Sequence, residues 1–225
     1  MPDLQSVDRV RRSLNGLSVE ARTALEEIWA QFGTDRVFAS QALVDLWLSL
    51  IETYGNMAAS MGAAQFEAWA VELGLTPRVQ PVAGVDPERA TARLRWALST
   101  PAQLGNAVVL LDELVKQPFR SVIQKSAGPS GGAWARVPTG AETCAFCLML
   151  ASRGAVYQTA HTAGQDRKYH GDCDCIPTLV RGPEDFPQGY DPVALFDIYS
   201  EGAYQADSGQ PKPILAAMRQ ITGGN

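Results

Sequence analysis

A mainly α-helical fold is predicted: a helical N-terminal domain followed by a small α+β C-terminal module. Three observations predict it. Apolar residues recur at helical spacing through most of the first 125 positions. A glycine-, serine- and proline-containing stretch, residues 126–133, then interrupts that pattern. Beyond it lie all four cysteines of the 225-residue chain, Cys144, Cys147, Cys173 and Cys175, with both histidines, His161 and His170, between the first and last of them.

In the helical part, Ser18 is placed to cap a helix carrying Leu25, Ile28, Trp29 and Phe32, which Gly33 would end. A second run, from Thr34 or Asp35 to about Leu73, keeps Val37, Leu43, Leu46, Trp47, Leu50, Ile51 and Tyr54 on one side. Gly55 and Asn56 offer a break that would divide it into two helices. After them come small residues, Ala58, Ala59, Ala63 and Ala64, and a renewed apolar face of Phe66, Trp69, Ala70 and Leu73. Pro77, Pro81 and Gly84 make Leu75 to Val85 a loop. Asp86 then precedes Pro87 as cap and first helical residue. Thr100 and Gln103 have capping-box spacing and would open a helix reaching Gln124. Four to six antiparallel helices are the economical reading of residues 1–125.

Residues 126–133 read as a flexible linker. Residues 134–182 form a Cys/His module, in which Tyr157 and its neighbours from Val156 to Thr159 read as a strand. Residues 183–225 form a loop followed by helices, one capped by Asp191 ahead of Pro192 and a last one over 213–221. Helical spacing places Trp29, Trp47, Trp69 and Trp96 in the core. Trp134 lies outside any periodic run and reads as a contact residue.

Composition narrows the function. Nineteen basic against 24 acidic residues give a net charge of −5, spread over both parts. That disfavours nonspecific DNA binding as the main activity. The longest apolar run, Ala42 to Ile51, is interrupted by Asp45 and is too short to span a membrane. The first residues lack the apolar segment of a secretory signal, so synthesis in the cytoplasm is expected. A chain of this size buries roughly 70% of its unfolded surface without staples, so the cysteines need another explanation.

Their spacing supplies one. Cys144 and Cys147 form a C-x2-C pair, and His170 and Cys173 an H-x2-C pair, with Cys175 two residues on. Zinc sites commonly draw two ligands from one tight turn and two from another, because three-residue spacing aims both donors at one point. Zinc is therefore the expected cofactor, held structurally by four of the five donors Cys144, Cys147, His170, Cys173 and Cys175. The regular pairing favours Cys144, Cys147, His170 and Cys173, with Cys175 competing for the last place. Disulfide pairing and ordinary buried thiols are the alternatives. His161 has no partner at ligand spacing.

The same residues argue against an enzyme. Neither histidine begins the H-x-E of zinc deaminases, there is no G-x-S-x-G, and no glycine-rich phosphate loop with its lysine occurs. No catalytic residue is assigned. The competing reading, a metal-dependent enzyme such as a packaging-associated nuclease, would need His161, Asp166 or the aspartates flanking Cys173 beside an open metal position.

The stretch from Arg136 to Cys175, RVPTGAETCAFCLMLASRGAVY followed by KYHGDCDC, resembles the C-terminal motif of bacteriophage minor capsid proteins of the Mu F-type head morphogenesis family, in the branch carried by phages of actinobacteria. Cys144 and Cys147 match its first pair; His170, Cys173 and Cys175 match its second box. Gly171 and Asp174 stand where that box has proline and arginine. The resemblance implies a structural virion protein near the portal vertex inside the head, aiding assembly or genome delivery. Portal or major capsid protein would be its partner, with several copies per particle, incidental contact with packaged DNA and no membrane.

Overall fold

The computed structural model describes residues 3–31, 41–140, 143–156 and 173–223. The mainly α prediction holds: among the described residues there are seven α-helices and one two-stranded sheet. No helix among them is long and apolar enough to cross a membrane.

Helix α1 (Leu4–Gln31) begins fourteen residues before the predicted cap. The apolar stripe continues backwards from Leu25 and Ala21 through Leu14, Val10 and Val7, and Ser18 is a buried interior residue on it. The start is fixed by Asp3 and Ser6: Ser6 N donates to Asp3 Oδ1 at 2.6 Å and Asp3 N donates to Ser6 Oγ at 3.2 Å, a reciprocal cap. Phe32 to Ser40, and with them Gly33, Asp35 and Val37, lie outside the described residues.

Helix α2 (Gln41–Glu72) runs unbroken through Gly55. Gly55 and Gly62 face helix α4 (Gln103–Ala127): a Cβ on Gly55 would lie 3.4 Å from the Pro118 ring, and one on Gly62 only 3.1 Å from the backbone of Phe119. These glycines let two backbones approach, which is why they end nothing. Gly62→Val is expected to destabilise the fold by about 1–3 kcal/mol through overpacking. Gly16→Ala, in α1 with open space around it, should be neutral or stabilising by about 0.5–1 kcal/mol. Urea denaturation checks the pair; equal effects at both positions would contradict the close approach.

Helix α3 (Pro87–Leu98) has its predicted cap, Asp86 accepting from the amides of Glu88 and Arg89. The predicted box at Thr100 and Gln103 acts differently. Thr100 Oγ1 donates to Ala97 O at 2.7 Å and Gln103 Nε2 to Leu98 O at 2.9 Å, so both close the end of α3. The N-cap position of α4 falls to Ala102, without a side-chain bond.

Residues 126–133 do not form a flexible linker. Ser126 and Ala127 complete α4, Gly128–Ser130 make one 3-10 turn, and Gly131 takes the positive φ of 79° that ends it. Ser126 and Ser130 are buried and accept from the backbone amides of Gln80 and Arg78, both at 2.9 Å, which pins the 75–85 loop onto this turn. The chain passes straight into β1 (Ala133–Pro138), which pairs antiparallel with β2 (Cys175–Val180), Trp134 opposite Leu179 and Pro138 opposite Cys175.

Apolar packing then joins what the sequence divides. One cluster fills the space between α1, α2, α3 and the first half of α4 around Leu25, Trp47, Leu94 and Leu111. The other joins Leu14, Phe66, Trp69, Phe119 and Ile123 of the helices to Trp134, Ile176 and Leu179 of the sheet. Trp134 is 1% exposed and so is a core residue, not a contact residue; Trp29, Trp47 and Trp69 are buried as expected, whereas Trp96 is 56% exposed. The short helix α5 (Ala145–Ala151) precedes a turn, and Val156 is not in a strand. Tyr157 to Thr159 lie outside the described residues. Helices α6 (Pro192–Ala206), capped by Asp191, and α7 (Pro211–Thr222) form a hairpin against α5 through Ala145, Ile214 and Met218.

Candidate metal centre

Two local structures bring the cysteines together. Cys144 is the N-cap of α5 and Cys147 lies one turn on, with Cys147 N donating to Cys144 Sγ at 3.4 Å. The C-x2-C spacing thus puts both sulfurs on one side of a helix start. Cys173 and Cys175 approach and enter β2, where a spacing of two places side chains on the same face.

Among the described residues, the sulfurs of Cys147, Cys173 and Cys175 all lie within 4.8 Å of one another, and all three residues are buried. Cys144, half-buried, packs against them. Cys147 Sγ and Cys173 Sγ are 3.3 Å apart, a thiol contact rather than a disulfide at about 2.05 Å. A tetrahedral zinc with bonds of about 2.3 Å needs sulfurs about 3.8 Å apart, and the cluster spans that separation. Three close buried cysteines can therefore hold a metal ion. Cys175, expected as a competitor, lies inside the group, because strand alternation carries it to the same side as Cys173. His161 and His170 lie outside the described residues, as do Asp166 and Asp172.

Without metal, the thiols share protons unequally. Hydrogen bonds from Cys147 and Cys175, with the charge of Arg120 nearby, push the Cys173 thiol far below its ordinary range against the cost of burial. Hydrogen bonds with Cys144 and then Cys173 push the Cys147 thiol up. Cys175 is also raised: its bond with Cys147 acts the other way, but Cys173 and burial outweigh it. A metal bound here would displace the thiol protons that remain.

The surroundings hold features the cysteine spacing did not disclose. Asp174, between two cluster residues, turns to the opposite side and closes the loop after β1. Its Oδ2 accepts from Gly140 N at 2.9 Å and from Thr143 Oγ1 at 2.7 Å. Burial raises its pKa and the neighbouring Cys173 adds to this, while those two hydrogen bonds oppose the shift. This is the position where the resembling motif has arginine. Arg120 of α4 is 0% exposed, and its Nη2 donates to the Cys173 carbonyl at 3.1 Å. Arg136 of β1, also buried, stands opposite Pro177, and the neighbouring pair, Pro138 with Cys175, lies on the same face of the sheet. Arg120 is a buried cation of α4, as is Lys116 four residues earlier, and with Lys116, Gln117 and Gln124 as its helical neighbours no apolar pattern in the sequence marks its burial.

Fold and site define a mainly α-helical protein whose closed, metal-capable cysteine cluster lies where a long helix meets a small sheet. The chain belongs to the VG15 protein family, whose model matches residues 1–202. It is similar to the Gene 15 protein of Mycobacterium phage L5, 25% identical over 157 residues covering 54% of this chain and 51% of that protein. It is also similar to the Gene 15 protein of Mycobacterium phage D29, 26% identical over 129 residues, 45% of this chain and 44% of the other. The chain spans about half the length of the curated relatives it matches. No solved structure matches it. These likenesses make it a bacteriophage protein.

Proposed function

We propose that this chain is a structural, non-enzymatic minor capsid protein of a tailed phage. In this reading it is made in the host cytoplasm and takes its place inside the head, at or near the portal vertex. Several copies contact portal or major capsid protein and aid assembly or genome delivery, touching packaged DNA only incidentally. A zinc ion clamps the C-terminal half through Cys147, Cys173 and Cys175, with Cys144 or His170 as fourth ligand.

The observation that carries the reading is the burial of the cysteine cluster within the packed body, at the positions of the motif that resembles Mu F-type head morphogenesis proteins. A thiolate-rich set enclosed in this way suits a structural metal, which contributes folding free energy, better than a catalytic one with an open ligand position. Kinship with phage Gene 15 proteins supports the virion setting.

Two measurements test it. Purified protein is expected to contain about one zinc per chain, as one tetrahedral site requires. Of Cys144→Ser and His170→Ala, the variant that loses the metal identifies the fourth ligand. In phage-producing cells, a tagged chain is expected to co-purify with portal protein and to appear in gradient-purified particles. Its absence from particles, or metal-dependent cleavage of DNA by the pure protein, would replace the structural reading with the enzymatic one.

A further inference from the structure

We propose that Arg120 is the charge-balancing residue of the metal cluster and sets its affinity for zinc, an inference that rests on the zinc clamp above. Three thiolates around a divalent ion leave a net charge of −1 with a neutral fourth ligand, and −2 if Cys144 is the fourth. Placing such an ion among buried residues is costly unless an opposite charge accompanies it. Arg120 supplies one. It is fully buried, and its guanidinium reaches the backbone carbonyl of Cys173. An arginine keeps its proton at any physiological pH, so the compensation is permanent.

The position of α4 is held by its contact with α2. Pro118 and Phe119, the residues just before Arg120, rest on Gly55 and Gly62 of α2, so the helix that carries the guanidinium cannot draw back without opening this close helix contact. Gly55, which sequence reading takes for a break, and Gly62 therefore hold in place the helix that carries the cation beside the cluster. The dependence is mutual: a metal-thiolate cluster also offers a buried guanidinium a negative partner.

The test uses the full chain as wild type and as Arg120→Gln, Arg120→Lys and Lys116→Met. Lys116, one turn earlier on α4, is a second buried cation, with its ammonium 2.6 Å from Asp112, and so reports what losing a buried charge from this helix does by itself. Zinc affinity is read by competition with a chromophoric chelator, at a temperature where circular dichroism shows each protein folded. The thiolate-to-metal band of the cobalt-loaded protein reports the ligand set. Arg120→Gln is expected to bind zinc about 10- to 100-fold more weakly, the usual effect of removing a partner of a metal ligand. Arg120→Lys, which retains the charge, should stay within a few-fold of wild type, and Lys116→Met should bind as wild type whatever its stability. Wild-type affinity in Arg120→Gln overturns the role of Arg120 and leaves the clamp standing. Equal weakening in the glutamine and lysine variants, or in Lys116→Met, also overturns it. Should Arg120→Gln fail to fold, the lysine variant decides: weakened binding there refutes charge balance. A wild-type protein that takes up no zinc refutes clamp and inference together.

Discussion

Cys173→Ser is expected to abolish zinc binding and to lower the melting temperature of the zinc-loaded protein by about 10 °C. Cys173 is the sulfur that touches Cys147, and its residue receives Arg120 on its own carbonyl. A ligand bound only by the folded state stabilises it by about 4 kcal/mol when present at a thousand times its Kd. For a chain of this length each kcal/mol corresponds to roughly 2–4 °C. The serine oxygen is smaller and a poorer zinc ligand, so a three-cysteine site would lose both donor and geometry. Differential scanning calorimetry with and without a strong chelator separates the contributions. Chelator should lower the wild-type midpoint towards that of the variant and leave the variant where it is. If chelator leaves wild type unmoved, the cysteines are ordinary buried thiols.

Trp134→Ala is expected to cost about 3–5 kcal/mol, the range for truncating a fully buried aromatic residue. Trp134 is 1% exposed and belongs to the cluster that includes Leu14 of α1, Phe66 and Trp69 of α2, and Phe119 and Ile123 of α4. Its loss would open a cavity shared by helices and sheet. Denaturation followed separately by the helical signal and by thiol accessibility of the cluster should therefore shift together and remain one transition. A shift confined to thiol accessibility would mean that the region after residue 133 unfolds as a separate module. Trp96→Ala, with its side chain 56% exposed, serves as the contrast and should fall within about 0.5 kcal/mol.

Much of the helical part is legible in the sequence, because amphipathic spacing reflects burial directly. The stripe through Leu25 and Trp29, the proline-initiated starts at Asp86 and Asp191, and the loop around Pro77 and Pro81 all appear where the pattern puts them. Errors concentrate where a residue's meaning depends on what faces it. Gly55 is a helix breaker in isolation and a contact surface opposite Pro118. Thr100 and Gln103 have cap spacing, yet the carbonyls they satisfy belong to the helix behind them. The 126–133 stretch has linker composition, but its serines serve the backbone of the 75–85 loop, some fifty residues earlier. Trp134 has no periodic neighbours because its strand is short, and long-range packing alone buries it.

For the candidate site, the sequence by itself determined the donor types and the pairing of Cys144 with Cys147, since a three-residue spacing at a helix start is local geometry. It also placed every cysteine and histidine of the chain in one window. Only the tertiary structure decided that Cys175 joins Cys147 and Cys173, because strand β2 and its alternation exist only once β1 pairs with it. Only the tertiary structure brought Arg120 to the cluster, across 53 positions, through a helix whose placement depends on glycines in another helix. Local spacing fixes which side of its own element a side chain occupies; which elements then meet is decided by burial summed over the whole chain.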